Sequence, residues 1–166
     1  MNRHALAFAS CLALVGCAAV GPVFAPAADV AAGNGVVYVY RPEAHAMSVM
    51  TAVFEVDGRN FVSIENNGFS ALSLPPGKYT VVHRWKAGLV GNSKLEGRPV
   101  SITVSVLPGK STYVRLLTQA NNMGPAAVSS GSGFNMQFRW LLQEVPETVA
   151  LPEIQQTRGK VATPPQ

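Results

Sequence analysis

Turn-forming residues interrupt this chain roughly every eight to twelve residues, and the runs between them are short and β-prone. Asp57-Gly58, Asn66-Asn67-Gly68, Pro75-Pro76-Gly77 and Pro108-Gly109 are the clearest interruptions. This punctuation leaves no room for a long amphipathic helix and directs the chain to an all-β fold. Val36 to Arg41, dense in Val and Tyr, reads as a buried strand. Ala52 to Val56 and Arg59 to Ile64 flank Asp57-Gly58, a pair suited to the positive φ values of a tight hairpin, so these two strands should pair. Phe69 to Leu74, Lys78 to Lys86, Val100 to Leu107, Ser111 to Leu117 and Phe134 to Gln143 follow as further strands. The expectation is an antiparallel β-sandwich of about eight strands, with a short helical turn after Pro146 and a frayed end from Thr157. Alternation selects Phe54, Val56, Val62, Leu72, Leu74, Val81, Ile102, Val104, Phe138 and Trp140 as its interior.

Of the 166 residues, 48% are hydrophobic and 13% charged, too apolar for a disordered chain. The net charge of +4 is spread thinly, with no basic run able to track a nucleic-acid backbone, so no nucleic-acid partner is expected. The only cysteines, Cys11 and Cys17, precede the β-rich body, which excludes a disulfide framework or a cysteine metal site within it.

The first residues read as a targeting segment. Arg3 and His4 precede an apolar run, Ala5 to Gly16, the length of a signal-peptide core and too short to span a bilayer. It ends Leu14-Val15-Gly16-Cys17, which resembles the lipobox of bacterial lipoproteins. That resemblance implies cleavage before Cys17 and a covalent lipid on its thiol and amine. Several acyl chains anchor far more firmly than one, each buried CH₂ adding about 0.8 kcal/mol. Ala18 in place of Asp favours the outer membrane by the enteric sorting rule. The other reading is an ordinary secretory signal cut after Ala25 or Ala28. The chain divides into a signal peptide (1–16), a lipidated Cys17 with an Ala-, Pro- and Gly-rich flexible tether (17–34), a sandwich (35–145) and a C-terminal segment (146–166).

Three clusters carry candidate chemistry. His45, Met47 and Met50 place an imidazole and two thioethers within six residues, a set that suits copper(I); the alternative is that both methionines pack beneath a loop. His83-Arg84-Trp85-Lys86 puts His83 and Trp85 on one strand face and both cations on the other. It reads as a core face with cations outside, or as a patch for an anionic glycan or lipid headgroup. The carboxylates Glu43, Glu55, Asp57, Glu65 and Glu96 are scattered, and no Gly-x-Ser-x-Gly elbow is present. A hydrolase would have to be cryptic; no enzyme activity and no cofactor beyond the lipid on Cys17 are expected.

Gly35-Val36-Val37-Tyr38-Val39-Tyr40-Arg41-Pro42, Val56-Asp57-Gly58, Leu74-Pro75-Pro76-Gly77-Lys78-Tyr79, and Pro108-Gly109-Lys110 with Tyr113-Val114-Arg115-Leu116 together resemble domain of unknown function 2846. The resemblance spans about residues 33–157 and lies in the order and spacing of these pieces. It implies an envelope lipoprotein with a small prealbumin-like sandwich, similar also to PEGA domains, and brings no catalytic residues. The insert Lys86 to Arg98 departs from its compact pattern.

Strand parity gives the expected polarity. With successive strands antiparallel, the tight turns gather at one end and the long connections, 42–50, 87–98 and 118–133, at the other. The tether would join the tight-turn end, turning the long loops away from the membrane. Those loops carry His45, Met47, Met50, Lys94, Arg98, Asn121, Asn122 and Met123, the candidate surface for an envelope protein or peptidoglycan.

The lipobox generates the first prediction. Cys17→Ser is expected to abolish incorporation of labelled fatty acid and to release the protein from membranes. Unchanged labelling and fractionation would refute lipidation at this residue.

Overall fold

Asp57 and Gly58, at φ values of 47° and 77°, form the tight link between β2 (Ala52–Val56) and β3 (Arg59–Ile64), which pair antiparallel. The Asp57 carboxylate accepts from the Thr80 amide at 2.8 Å and fastens this hairpin to the neighbouring strand. The computed structural model describes residues 19–28, 30–86, 98–128 and 131–162. Around the hairpin lie β1 (Gly35–Arg41), β4 (Gly68–Leu74), β5 (Gly77–Trp85), β6 (Val100–Val106), β7 (Ser111–Val128), β8 (Gly131–Val145), α1 (Glu147–Ile154) and β9 (Arg158–Gly159). They build two sheets, ordered β8-β7-β1-β4-β9 and β3-β2-β5-β6. The expected sandwich is therefore present.

Parity holds in every pairing of β1 to β8 and breaks at β9, with one consequence for the sheets. β1 and β7 are both odd-numbered, and they lie side by side in parallel, Val36 opposite Ser111. β9 also runs parallel to β4. The two Pro-Gly turns are corners between sheets: Pro75-Pro76 carries the chain from β4 to β5, and Leu107 to Lys110 carries it from β6 to β7. Gly35 lies against the second corner, where a Cβ would stand 2.4 Å from the Leu107 carbonyl oxygen.

Every residue of β1 is buried. Val37 and Val39 face the second sheet among Phe54, Phe61, Ile64, Val81, Val104 and Leu116. Val36, Tyr38 and Tyr40 face outward, where Ala150 and Ile154 of α1 cover them together with Phe24, Ala27 and Val30. Tyr40 donates to a Glu153 carboxylate oxygen at 2.6 Å, and Arg115 pairs with the other oxygen at 2.5 Å, so α1 is tied to the sheet by charge as well as packing.

Several expectations are corrected. Residues 19–28 and 30–34, expected as a free tether, include a strap across the outer face: Phe24 packs edge-on against Tyr38 and Phe69, and the Ala27 amide donates to the Tyr38 hydroxyl at 2.8 Å. In the segment expected to fray from Thr157, Arg158–Gly159 form β9 and Thr157 is fully buried. Where a long loop is expected over 118–133, β7 continues to Val128 and β8 begins at Gly131, paired antiparallel, so Asn121, Asn122 and Met123 lie on a strand. Its ladder absorbs Pro125 at a register shift, where a missing N–H is tolerated. Leu72, Leu74, Ile102, Phe138 and Trp140 pack on the core but remain half-buried, because they sit on edge strands or toward a strand end.

Arg41 closes β1 with no exposed surface. Its two terminal nitrogens donate to the Met47 and Met50 carbonyls, both at 2.6 Å, and its guanidinium lies 4.9 Å from the centre of the Trp85 ring. Met47 adopts a φ of 60°, within the turn that supplies these carbonyls. Two carbonyl dipoles and an aromatic face thus replace water around a cation that has no carboxylate partner among the described residues. Burial lowers its pKa to about 10.

Arg41→Met keeps an apolar stem and deletes both bonds. It is expected to cost the 42–51 loop about 1–3 kcal/mol of local protection. Hydrogen exchange should speed up at the Ser48 and Met50 amides, which bond the His45 and Met47 carbonyls. Unchanged exchange would show that Arg41 does not pin the loop.

Candidate functional site

The alternation of β5 sends His83 and Trp85 inward and Arg84 and Lys86 outward, so the core reading of this segment holds. Arg84 instead pairs with Glu55 at 2.5 Å on the sheet surface. Inside, His83 stands edge-on to Trp85 at 4.6 Å and near Phe54 at 5.5 Å. Neither imidazole nitrogen has a hydrogen-bond partner among the described residues. Burial, with a contribution from the Arg41 charge, pushes its pKa down to about 3. This is a neutral ring used as packing.

From Trp85 the aromatic contacts continue to the surface. Trp140 of β8 packs edge-on to Trp85 at 5.9 Å, and its indole N–H donates to the Arg98 carbonyl at 3.4 Å. Here the two sheets end in β6 and β8, and a groove of about 400 Å³ lies along their edges. Arg98, Gln119, Phe138, Arg139, Trp140 and Leu141 line most of it. Arg98 and Arg139 are exposed and make no ion pair among the described residues. Arg98 and Arg139 thus stand exposed at the margin of a groove that holds two half-buried aromatic rings, Arg139 on the face of β8 opposite Phe138 and Trp140. Such a surface can stack on a flat or ring-shaped ligand and take a carboxylate or phosphate in bidentate fashion. A second, smaller hollow of about 230 Å³ lies between Pro42, Glu43, Asn67, Glu153 and Gln156. Its acidic side chains suit no anion, and Glu153 is already engaged by Tyr40 and Arg115.

The residues singled out from sequence are dispersed. Met47 is buried in the core, Met50 packs against it, and His45 is exposed, so the three candidate copper ligands are divided between interior and solvent. Both thioethers fill space under the loop, as the packing reading has it. Asn121 is exposed on β7 opposite Gln137, with Asn122 and Met123 following it in the strand. Lys94 and Cys17 lie outside the described residues. Of the candidates among the described residues, Arg98 lines the groove. Phe138, Arg139 and Trp140 read as strand residues alone and Gln119 falls in the expected 118–133 connection, and no local motif marks them. Their alliance comes from two sheet edges meeting far apart in sequence.

The family model described as a protein of unknown function, DUF2846, matches residues 31–132. No curated protein and no solved structure matches the chain.

His83 sets a pH dependence of stability. The unfolded chain protonates it near 6.5, whereas the folded chain does so only near 3. Below pH 6.5 the unfolded state binds the extra proton, so stability falls as pH falls, by up to about 1.4 kcal/mol per pH unit until pH 3 is approached. Above pH 6.5 the residue adds no slope. Urea unfolding of His83→Phe between pH 7 and 4 should show a smaller loss than the wild type. Equal losses would assign the acid sensitivity to other groups.

Proposed function

We propose that this chain, which belongs to the DUF2846 family of proteins of unknown function, is a lipid-anchored envelope protein whose sandwich is a non-catalytic module for binding an anionic glycan in the β6–β8 groove. The observation that carries the reading is the placement of Arg98 and Arg139 beside Phe138 and Trp140 in one groove. Aromatic faces stack on the C–H surface of sugar rings, while guanidinium forks select the carboxylates or phosphates those sugars carry. Trp140 is well held for this role, since Trp85 backs its ring and the Arg98 carbonyl fixes its indole N–H. A preorganised aromatic loses little freedom when a ligand arrives.

The lipobox before Cys17 supports attachment to the membrane, and Ala18 supports the outer membrane as its place. No helix among the described residues is long and apolar enough to cross a membrane. Two envelope materials share the proposed chemistry, peptidoglycan and the lipid-linked glycan of the membrane itself.

Purified protein should be retained by isolated peptidoglycan sacculi or by lipopolysaccharide, and the two arms tell the sources apart. The Arg98→Ala/Arg139→Ala double variant should bind the retaining material at least about tenfold more weakly, and added salt should weaken the wild type. Retention by neither material, or equal retention of the double variant, would overturn the glycan reading.

A further inference from the structure

The first described residue, Ala19, is only two positions after Cys17, and it is held in place. It is buried, and its amide donates to the Asn66 carbonyl at 2.8 Å. Val23 bridges to Arg158, and the Gly159 amide donates to the Pro22 carbonyl at 2.8 Å. A Cβ on Gly21 would lie 2.0 Å from the Gly159 carbonyl oxygen, so this close approach admits only glycine. Phe24 then covers Tyr38 and Phe69, and the strap ends at Asn34, whose carbonyl accepts from Gly109 at 2.9 Å. The strap therefore crosses the whole sandwich. It begins at the Asn66 end and finishes beside the tight-turn corner where β1 starts.

Asn66 marks the loop end of the fold. Its side-chain oxygen also accepts from the Ala44 amide in the 42–51 loop at 3.2 Å. The Thr118 hydroxyl donates to the Ala46 carbonyl at 3.3 Å, which puts the base of the β7–β8 hairpin at the same end. Two residues of chain reach no more than about 7 Å. Whatever is attached to Cys17 is consequently held close to these loops, not at the tight turns.

We infer that the domain sits with its Asn66 end against the lipid headgroups of the membrane that holds its anchor. That end comprises the 42–51 loop, the 65–67 turn and the paired extensions of β7 and β8 beyond β1, and Asp57-Gly58, Pro75-Pro76 and Leu107 to Lys110 point away. The inference rests on lipidation of Cys17. It reverses the polarity expected from strand parity, because the strap carries the attachment point back across the sandwich. The surface suits the occupant. Val20 is 86% exposed beside Ala19, and Val49 is 68% exposed in the 42–51 loop. β7 pairs with β1 only as far as Arg115 and continues with β8 to Val128, and no residue between Arg115 and Arg139 carries a charge. An uncharged hairpin and exposed valines meet an interface at little desolvation cost, whereas a charged tip would resist it.

The test uses full-length lipidated protein, whose acyl modification is first measured by mass spectrometry. Cys17 is blocked by its lipid and Cys11 is lost with the signal, so Val49→Cys and Lys110→Cys each provide a unique labelling site. The protein is reconstituted in phosphatidylethanolamine–phosphatidylglycerol vesicles carrying a headgroup quencher. The fluorophore at residue 49 is expected to be quenched at least threefold more than that at residue 110. Phe24→Ala, which removes the strap's aromatic hold, should bring the two values together while the acyl mass stays unchanged. If Cys17 carries no lipid, the anchoring reading fails and this inference with it. If Cys17 is lipidated and residue 110 is quenched as strongly as residue 49, or neither is quenched, the orientation alone is overturned.

Discussion

The burial of β1 on both faces is the constraint around which the rest of the molecule is arranged. A strand with Val37 and Val39 on one side and Val36, Tyr38 and Tyr40 on the other cannot lie at a solvent-facing sheet surface. The inner side is met by the four-stranded sheet. The outer side needs a further layer, and the chain supplies it from both termini, the strap from the N-terminal side and α1 from the C-terminal side. Stacking of Tyr38 on Tyr113 at 5.2 Å and the bond from Tyr40 to Glu153 show how that outer layer is specified, through aromatic contact and a buried hydroxyl with a partner.

Arg41 connects this arrangement to the surface chemistry. A cation at the end of a doubly buried strand is costly unless its environment replaces water. The 42–51 loop does so with two carbonyls and Trp85 does so with its ring face. Trp85 in turn backs Trp140, and Trp140 forms part of the groove wall. A line of contacts therefore runs from the strand that organises the fold to the groove flanked by Arg98 and Arg139. His83, beside it, contributes packing with an uncharged ring, and nitrogens without a partner among the described residues are the cost of placing an imidazole there.

The strap changes the meaning of the region between Cys17 and the first strand. An Ala-, Pro- and Gly-rich stretch has the composition of a linker. Here Phe24 supplies an aromatic anchor, Gly21 permits a close backbone approach, and the chain becomes part of the outer layer. A domain held through such a segment has a defined face toward its attachment point, where a free linker of the same length would leave the orientation open.

The sequence by itself determined the β-rich class, the Asp57-Gly58 hairpin, the inward set of His83 and Trp85, the short helix after Pro146, and the lipobox expectation. These depend on local rules: turn residues that accept positive φ, period-two alternation, and the length of an apolar run. Only the tertiary structure decided that β1 lies parallel to β7, that both Pro-Gly corners switch sheets, that β7 and β8 continue to Val128 and from Gly131, and that Arg158–Gly159 close the sheet edge. It also brought Arg98 of one sheet's margin to Phe138, Arg139 and Trp140 of the other's. Sheet order, edge proximity and the path of a strap are set by which faces must be covered and by what lies nearest in space. That information is carried by contacts between residues up to more than a hundred positions apart, as from Tyr40 to Glu153, and no window of neighbouring residues contains it.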